Sequence, residues 1–185
     1  MKVLSVLGSP RLNGNTAKLL GVFEDAFTPD HCIEHIDLQG LNIEGCRECM
    51  TCRKGGSTNH CAIKDDMTAL YDSVLCCDAF VLAVPVFMWS YTAQAKAFMD
   101  RLYALDAGTG PKLAGKKTAL ILSGGGDAFD GADLIVAGFM KFAEYNGMKH
   151  IGQVVAAPME ESVVEQHIEA ALKALAKSLC ASNDQ

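Results

Sequence analysis

The sequence predicts an open α/β fold in which five parallel strands form one sheet and helices fill the connections. Three observations carry this prediction. Short, mostly apolar runs of strand length recur at residues 3–7, 32–38, 79–84, 118–122 and 150–156. Stretches with apolar residues at helical spacing separate them. Gly, Ser and Pro punctuate the strand ends, and strands alternating with helices produce parallel sheets.

The elements follow in order. Residues 3–7 are continuously apolar and end in Gly8-Ser9-Pro10, as expected of a strand buried on both faces. Residues 16–27 carry Leu19, Leu20, Phe23 and Phe27 at helical spacing, and residues 32–38 alternate as a second strand. An irregular, cysteine-rich insertion fills about residues 40–64, with Gly55-Gly56-Ser57 as its tip. Asp65 and Asp66 open a helix to about Cys76, their carboxylates suiting its positive end. The third strand ends at Pro85, and a helix follows over about residues 92–103. The fourth strand ends in Ser123-Gly124-Gly125-Gly126, and residues 132–145 form a helix stopped by Asn146-Gly147. After the fifth strand, Ser162 and Glu165 have the spacing of a capping box for a last helix that buries Val164, Ile168, Leu172, Leu175 and Leu179. Residues 181–185 read as a frayed tail.

A chain of 185 residues with 50% apolar and 21% charged residues suits one globular domain, here residues 1–185. The net charge of −6 argues against a nucleic-acid or anionic-membrane partner. No apolar run reaches membrane-spanning length. Lys2 ahead of residues 3–7 resembles the start of a signal peptide, but the run breaks at Gly8-Ser9-Pro10, so the expected location is cytoplasmic.

Ligands of open α/β sheets bind beyond the carboxyl ends of the strands. The loop after strand one, Gly8 to Thr16, offers a helix N-terminus to an anionic phosphate. Ser9, Asn15 and Thr16 add donors, Arg11 can fork onto phosphate oxygens, and Gly14 allows an unusual backbone shape. No Lys follows Gly14, which excludes a Walker loop, and Pro10 stands where a dinucleotide fingerprint needs its second glycine. Asp37 is therefore not read as a ribose ligand. A polar loop that only caps a helix is the plainer alternative. The loop after strand three, Pro85-Val86-Phe87-Met88-Trp89-Ser90, is apolar and aromatic and suits a planar ring, although core or interface packing is the commoner use of such residues. After strand four, the glycines let a ligand approach the backbone or simply make a turn.

Eight cysteines are many for this length. Cys32, Cys76, Cys77 and Cys180 read as packing residues. Cys46-x2-Cys49-x2-Cys52-x8-Cys61 offers four thiolates, three of them in a compact series as in 4Fe–4S ligation. Zinc, redox-active thiols and plain packing remain alternatives, and His60 could replace Cys61.

The Gly-Ser-Pro-Arg and Gly-Asn-Thr loop, Asp65-Asp66-Met67, Pro85-Val86-Phe87, and the helix with Lys96, Phe98, Asp100 and Arg101 resemble the NADPH-dependent FMN reductase branch of the flavodoxin-like superfamily. With the cysteine series they resemble its iron–sulfur flavoproteins. The last spacer is longer than the five residues of that pattern. The resemblance implies a sheet in order 2-1-3-4-5 with helices on both faces. By it, Ser9, Arg11, Asn13, Asn15 and Thr16 hold the FMN phosphate. Pro85, Val86, Phe87, Met88, Trp89, Ser123, Gly124 and Gly125 border the ring, and Cys46, Cys49, Cys52 and Cys61 are the metal ligands. Lys96 and Arg101 read instead as salt-bridge partners on a solvated helix face. The implied function is an oxidoreductase passing electrons from NAD(P)H or an iron–sulfur donor through FMN to a small acceptor or a redox protein such as ferredoxin, as a homodimer or larger assembly. A non-enzymatic electron carrier and a thiol redox sensor are the alternatives. No Ser/His/Asp set is legible, so the flavin carries the chemistry.

Overall fold

The computed structural model describes residues 1–54, 61–106, 110, 112–159 and 164–181. Strands β1 (Lys2–Leu7), β2 (Cys32–Asp37), β3 (Ala79–Pro85), β4 (Lys117–Ser123) and β5 (Lys149–Ala156) alternate with helices α1 (Asn15–Glu24), α2 (Met67–Cys76), α3 (Ala93–Arg101), α4 (Asp133–Tyr145) and α5 (Gln166–Cys180). The strands form one parallel sheet in the order β2-β1-β3-β4-β5. The expected order is therefore the observed one.

Side chains alternate across the central strands, and each face buries its own set. Val3, Leu7, Val81, Ala83 and Ile121 pack with Leu19, Leu20 and Phe23 of α1 and Leu172, Leu175 and Leu179 of α5. Leu4, Val6, Phe80, Leu82 and Leu120 pack on the opposite face with α2, α3 and α4 through Tyr71, Phe98 and Phe139. Double-sided burial explains why β1, β3 and β4 read as continuous apolar runs.

Several helix ends differ from expectation. Helix α1 stops at Glu24 instead of reaching Phe27, and the chain leaves it through turns. Helix α2 begins only at Met67, so Asp65 and Asp66 lie outside it. Their carboxylates hold the incoming chain, Asp66 accepting from the Asn42 amide at 2.7 Å and Asp65 from that of Glu44 at 2.9 Å. After α3 the backbone tightens into a 3₁₀ turn, Leu102–Leu105. Helix α5 begins at Gln166, and Glu165 makes no side-chain cap; Ser162 of the expected capping box and residues 182–185 lie outside the described residues. Cys32 and Cys76 are exposed and Cys180 is half-buried, so of the four cysteines read as packing only Cys77 is fully buried. Burial pushes the Cys77 thiol up to about 11. Among the described residues no helix is long and apolar enough to cross a membrane.

Candidate functional site

The loops after β1, β3 and β4 meet at the carboxyl edge of the sheet, joined by polar contacts. The hydroxyls of Thr16 and Ser123 lie 2.7 Å apart in the interior. Thr92 donates to the carbonyl of Gly8 at 2.5 Å and accepts from the amide of Ala95 at 3.3 Å, so it caps α3 and fixes the first loop together. Asn15 Nδ2 donates to the carbonyl of Met159 at 3.3 Å, and the amide of Met159 donates to Gly124.

Within the first loop, Ser9 is buried and its hydroxyl accepts from the Arg11 amide at 3.1 Å, while Arg11 and Asn13 are exposed. Gly14 is the N-cap of α1; no side chain caps that end and no acidic residue lies in its first turn. The first amides of a helix lack intrahelical partners, so this end suits an anion. A Cβ at Gly14 would stand 3.0 Å from Cβ and 3.3 Å from Nε of Arg11, so the glycine lets Arg11 fold against the loop. The donor set fits a phosphate.

Beside it, the Phe87 and Ser90 backbones exchange two hydrogen bonds of 3.0 Å and enclose Met88 and Trp89 in a two-residue turn. Both enclosed residues have positive φ, 47° and 58°. Such turns favour Asn-Gly, and side chains there are strained. The turn nevertheless displays Phe87, Met88 (82% exposed) and Trp89 at the surface, with Phe129 nearly fully exposed in the loop after β4. Trp89 Nε1 donates to Asp130 Oδ1 at 2.7 Å. Gly131, at φ +96°, makes room for it, since a Cβ there would lie 2.8 Å from the Trp89 Cα. Pro85 and Val86 are half-buried beneath the turn, Ser123 is buried, and space is open above Gly125. The arrangement is an apolar shelf beside an anion site, which fits a phosphorylated planar ring. Its two positive-φ residues and its Asp130–Gly131 support have no local sequence signature.

The cysteines occupy a different place. Cys46, Cys49, Cys52 and Cys61 line one cavity of about 200 Å³, walled by Arg101 and Tyr103. Among the described residues no three His, Cys, Asp or Glu side chains are already gathered as a metal-binding group, and His60 lies outside the described residues. Hydrogen bonding to Thr51 holds the Cys49 thiol below its ordinary range, whereas burial and the neighbouring Cys61 raise that of Cys52. Four thiols around one cavity match the donor chemistry of an iron–sulfur cluster.

Arg101 is not on a solvated helix face. Its side chain is fully buried and grips the carboxylate of Asp65 with both terminal nitrogens, at 2.7 and 2.9 Å. Burial opposes ionisation of both groups, but the paired charges outweigh it, keeping Asp65 below and Arg101 above their ordinary values. Lys96 does make the expected exposed pair, with Asp100 at 2.6 Å. Arg53, next to Cys52, stacks 4.2 Å from the centre of the Tyr103 ring and pairs with Asp106 at 2.8 Å.

The chain is similar to known proteins in sequence and in fold. The chain is 29% identical over 188 residues to an iron–sulfur flavoprotein of Methanosarcina thermophila, covering 97% of this chain and 94% of that one. It is 37% identical over 117 residues to an iron–sulfur flavoprotein of Archaeoglobus fulgidus, covering 63% and 51%. Its fold is similar to an NADH:FMN oxidoreductase (TM-score 0.69, 22% identity, covering 99% and 91%) and to an FMN-dependent NADH-azoreductase of Bacillus anthracis in complex with FMN (TM-score 0.70, 13% identity, covering 98% and 100%). With residues 1–162 matching the family NADPH-dependent FMN reductase, this chain belongs to that family of flavodoxin-like oxidoreductases.

Proposed function

We propose that the chain binds FMN at the carboxyl edge of its sheet and passes electrons from NAD(P)H to a small acceptor such as a quinone, or to a redox protein. The observation that carries this reading is the uncapped N-terminus of α1 beside the exposed shelf of Phe87, Met88 and Trp89. Ser9, Arg11, Asn13, Asn15 and Thr16 would hold the phosphate, and Pro85 to Trp89 with Ser123, Gly124 and Gly125 would border the ring. FMN, when bound, supplies the hydride and one-electron chemistry. The chain's own residues bind the phosphate, orient the ring against the shelf and keep water from one side of it. None is needed as a nucleophile.

Cys46, Cys49, Cys52 and Cys61 would hold a 4Fe–4S cluster, supported by their shared cavity and by the names of the relatives. The exposed apolar shelf supports a homo-oligomer in which a second copy covers it.

The test is direct. With FMN bound, NAD(P)H should bleach the flavin absorbance and a quinone should restore it. Bleaching by reduced ferredoxin and by neither nicotinamide would favour the carrier. Anaerobic reconstitution should give about four irons and four sulfides per chain, and Cys49→Ala should abolish the added absorbance while FMN still binds.

A further inference from the structure

The cysteine segment leaves β2 and returns at α2, and both of its ends reach one side chain. Arg101 Nη1 donates to the carbonyl of Glu44 at 2.8 Å, two residues before Cys46. Nη2 donates to the carbonyl of Ile63 at 3.4 Å, two residues after Cys61. The same guanidinium grips Asp65, whose Oδ2 also accepts from the Glu44 amide at 2.9 Å. Tyr71 donates to the carbonyl of Arg101 at 3.1 Å, which fixes the end of α3 from α2. Arg101 Nε is buried without a hydrogen-bond partner, and Arg101 forms part of the wall of the cysteine cavity.

We infer that Arg101 is a positioning residue for the cysteine site: it staples the two ends of the segment so that the four thiols share one cavity before any metal arrives. The inference rests on the four cysteines acting together, as in the function proposed above. A planar guanidinium can hold a carboxylate and two carbonyls in fixed directions, whereas an ammonium on a flexible stem cannot. Closing the segment costs chain entropy, and a staple at its ends removes that cost from ligand binding. The pair with Asp65 also satisfies the arginine's charge, which would otherwise be left buried and unpaired.

The experiment uses the full chain with Arg101→Lys, which keeps the charge but loses the fork, and Asp65→Glu, which keeps both charges but displaces the grip, as a second variant should the first fail to fold. Three quantities are read: FMN affinity, iron and sulfide after anaerobic reconstitution, and disulfide trapping in the metal-free protein. For trapping, diamide takes two electrons and two protons from a pair of thiols, and peptide mass spectrometry locates the bond. Wild type should link Cys61 to the Cys46–Cys52 group. The variant should do so about 10–100-fold more slowly, the weight of one charge-assisted hydrogen bond, and should lose most of its iron and the cluster absorbance with FMN affinity unchanged. Trapping and iron content equal to wild type would overturn the inference. So would loss of FMN binding in parallel with loss of iron, which would make Arg101 a general fold element. Slowed trapping with no iron in the wild type would uphold the staple and refute the iron–sulfur cluster.

Discussion

The indole nitrogen of Trp89 donates to the carboxylate of Asp130 at 2.7 Å, tying the loop after β3 to the loop after β4. Trp89 is the only tryptophan in the chain. Its fluorescence therefore reports on this edge alone. Titration with FMN should quench most of the emission, and riboflavin should do the same at higher concentration. Unchanged emission at saturating FMN would place the ring elsewhere.

The turn that carries Trp89 should trade stability for binding. Met88 and Trp89 both sit at positive φ, at about 1–2 kcal/mol each. Met88→Asn with Trp89→Gly supplies the residues this turn favours. After the lost indole hydrogen bond, thermal unfolding should show a net gain of about 1 kcal/mol, while FMN binds more weakly. Tighter FMN binding by the double variant would show that the aromatic shelf is not a ring contact.

Arg11 should act through the phosphate. A charge-assisted hydrogen bond contributes about 1.5–3 kcal/mol, so Arg11→Ala should weaken FMN binding by about 10–100-fold. Riboflavin, which lacks the phosphate, should bind as before. Equal weakening of both ligands in a calorimetric titration would assign Arg11 another task.

Thr92→Val should destabilise the fold by about 1–2 kcal/mol, because it removes an N-cap and leaves the buried carbonyl of Gly8 short of a donor. Chemical denaturation measures this. A change under a few tenths of a kcal/mol would mean that water replaces the hydroxyl.

His35 gives the fold a pH dependence. Its Nδ1 lies 2.7 Å from Glu24 and its Nε2 lies 3.1 Å from Asp37. Burial lowers its pKa, but the hydrogen bonds to the two carboxylates outweigh it, and the net shift is upward from 6.5. A raised folded pKa means stabilisation that is complete below about 6.5 and lost as pH rises through the folded value. The melting temperature should therefore fall from pH 6 towards pH 8, and His35→Gln should flatten that slope. An unaltered slope would assign the pH dependence to other groups.

The parts of this molecule legible in its sequence are those fixed by local pattern. Double-sided burial makes β1, β3 and β4 plain as apolar runs, and Thr92 marks the start of α3 through short-range chemistry, whereas Gly14, expected to take an unusual backbone shape, lies in ordinary extended backbone. Helical spacing alone puts Arg101 on an exposed face, because its salt-bridge partner, Asp65, lies 36 residues away. The Met88–Trp89 turn is not legible as a turn because neither residue carries turn chemistry, and its support at Gly131 belongs to another loop. The apolar neighbours of Cys32 and Cys76 suggest packing roles, yet Cys32 lies on the edge strand β2 and Cys76 ends α2, where the surface begins.

Helix α3 is capped at its start by Thr92, which holds the carbonyl of Gly8, and ends at Arg101, which holds the cysteine segment. Nine helical residues span about 14 Å and advance by about 100° each. A single inserted or deleted residue would leave the length nearly intact but turn the guanidinium a quarter-circle away from Asp65. An insertion of a full helical turn would restore its heading while lifting it off the carbonyls. The angular phase of α3, more than its length, is what this architecture cannot vary without uncoupling its two ends.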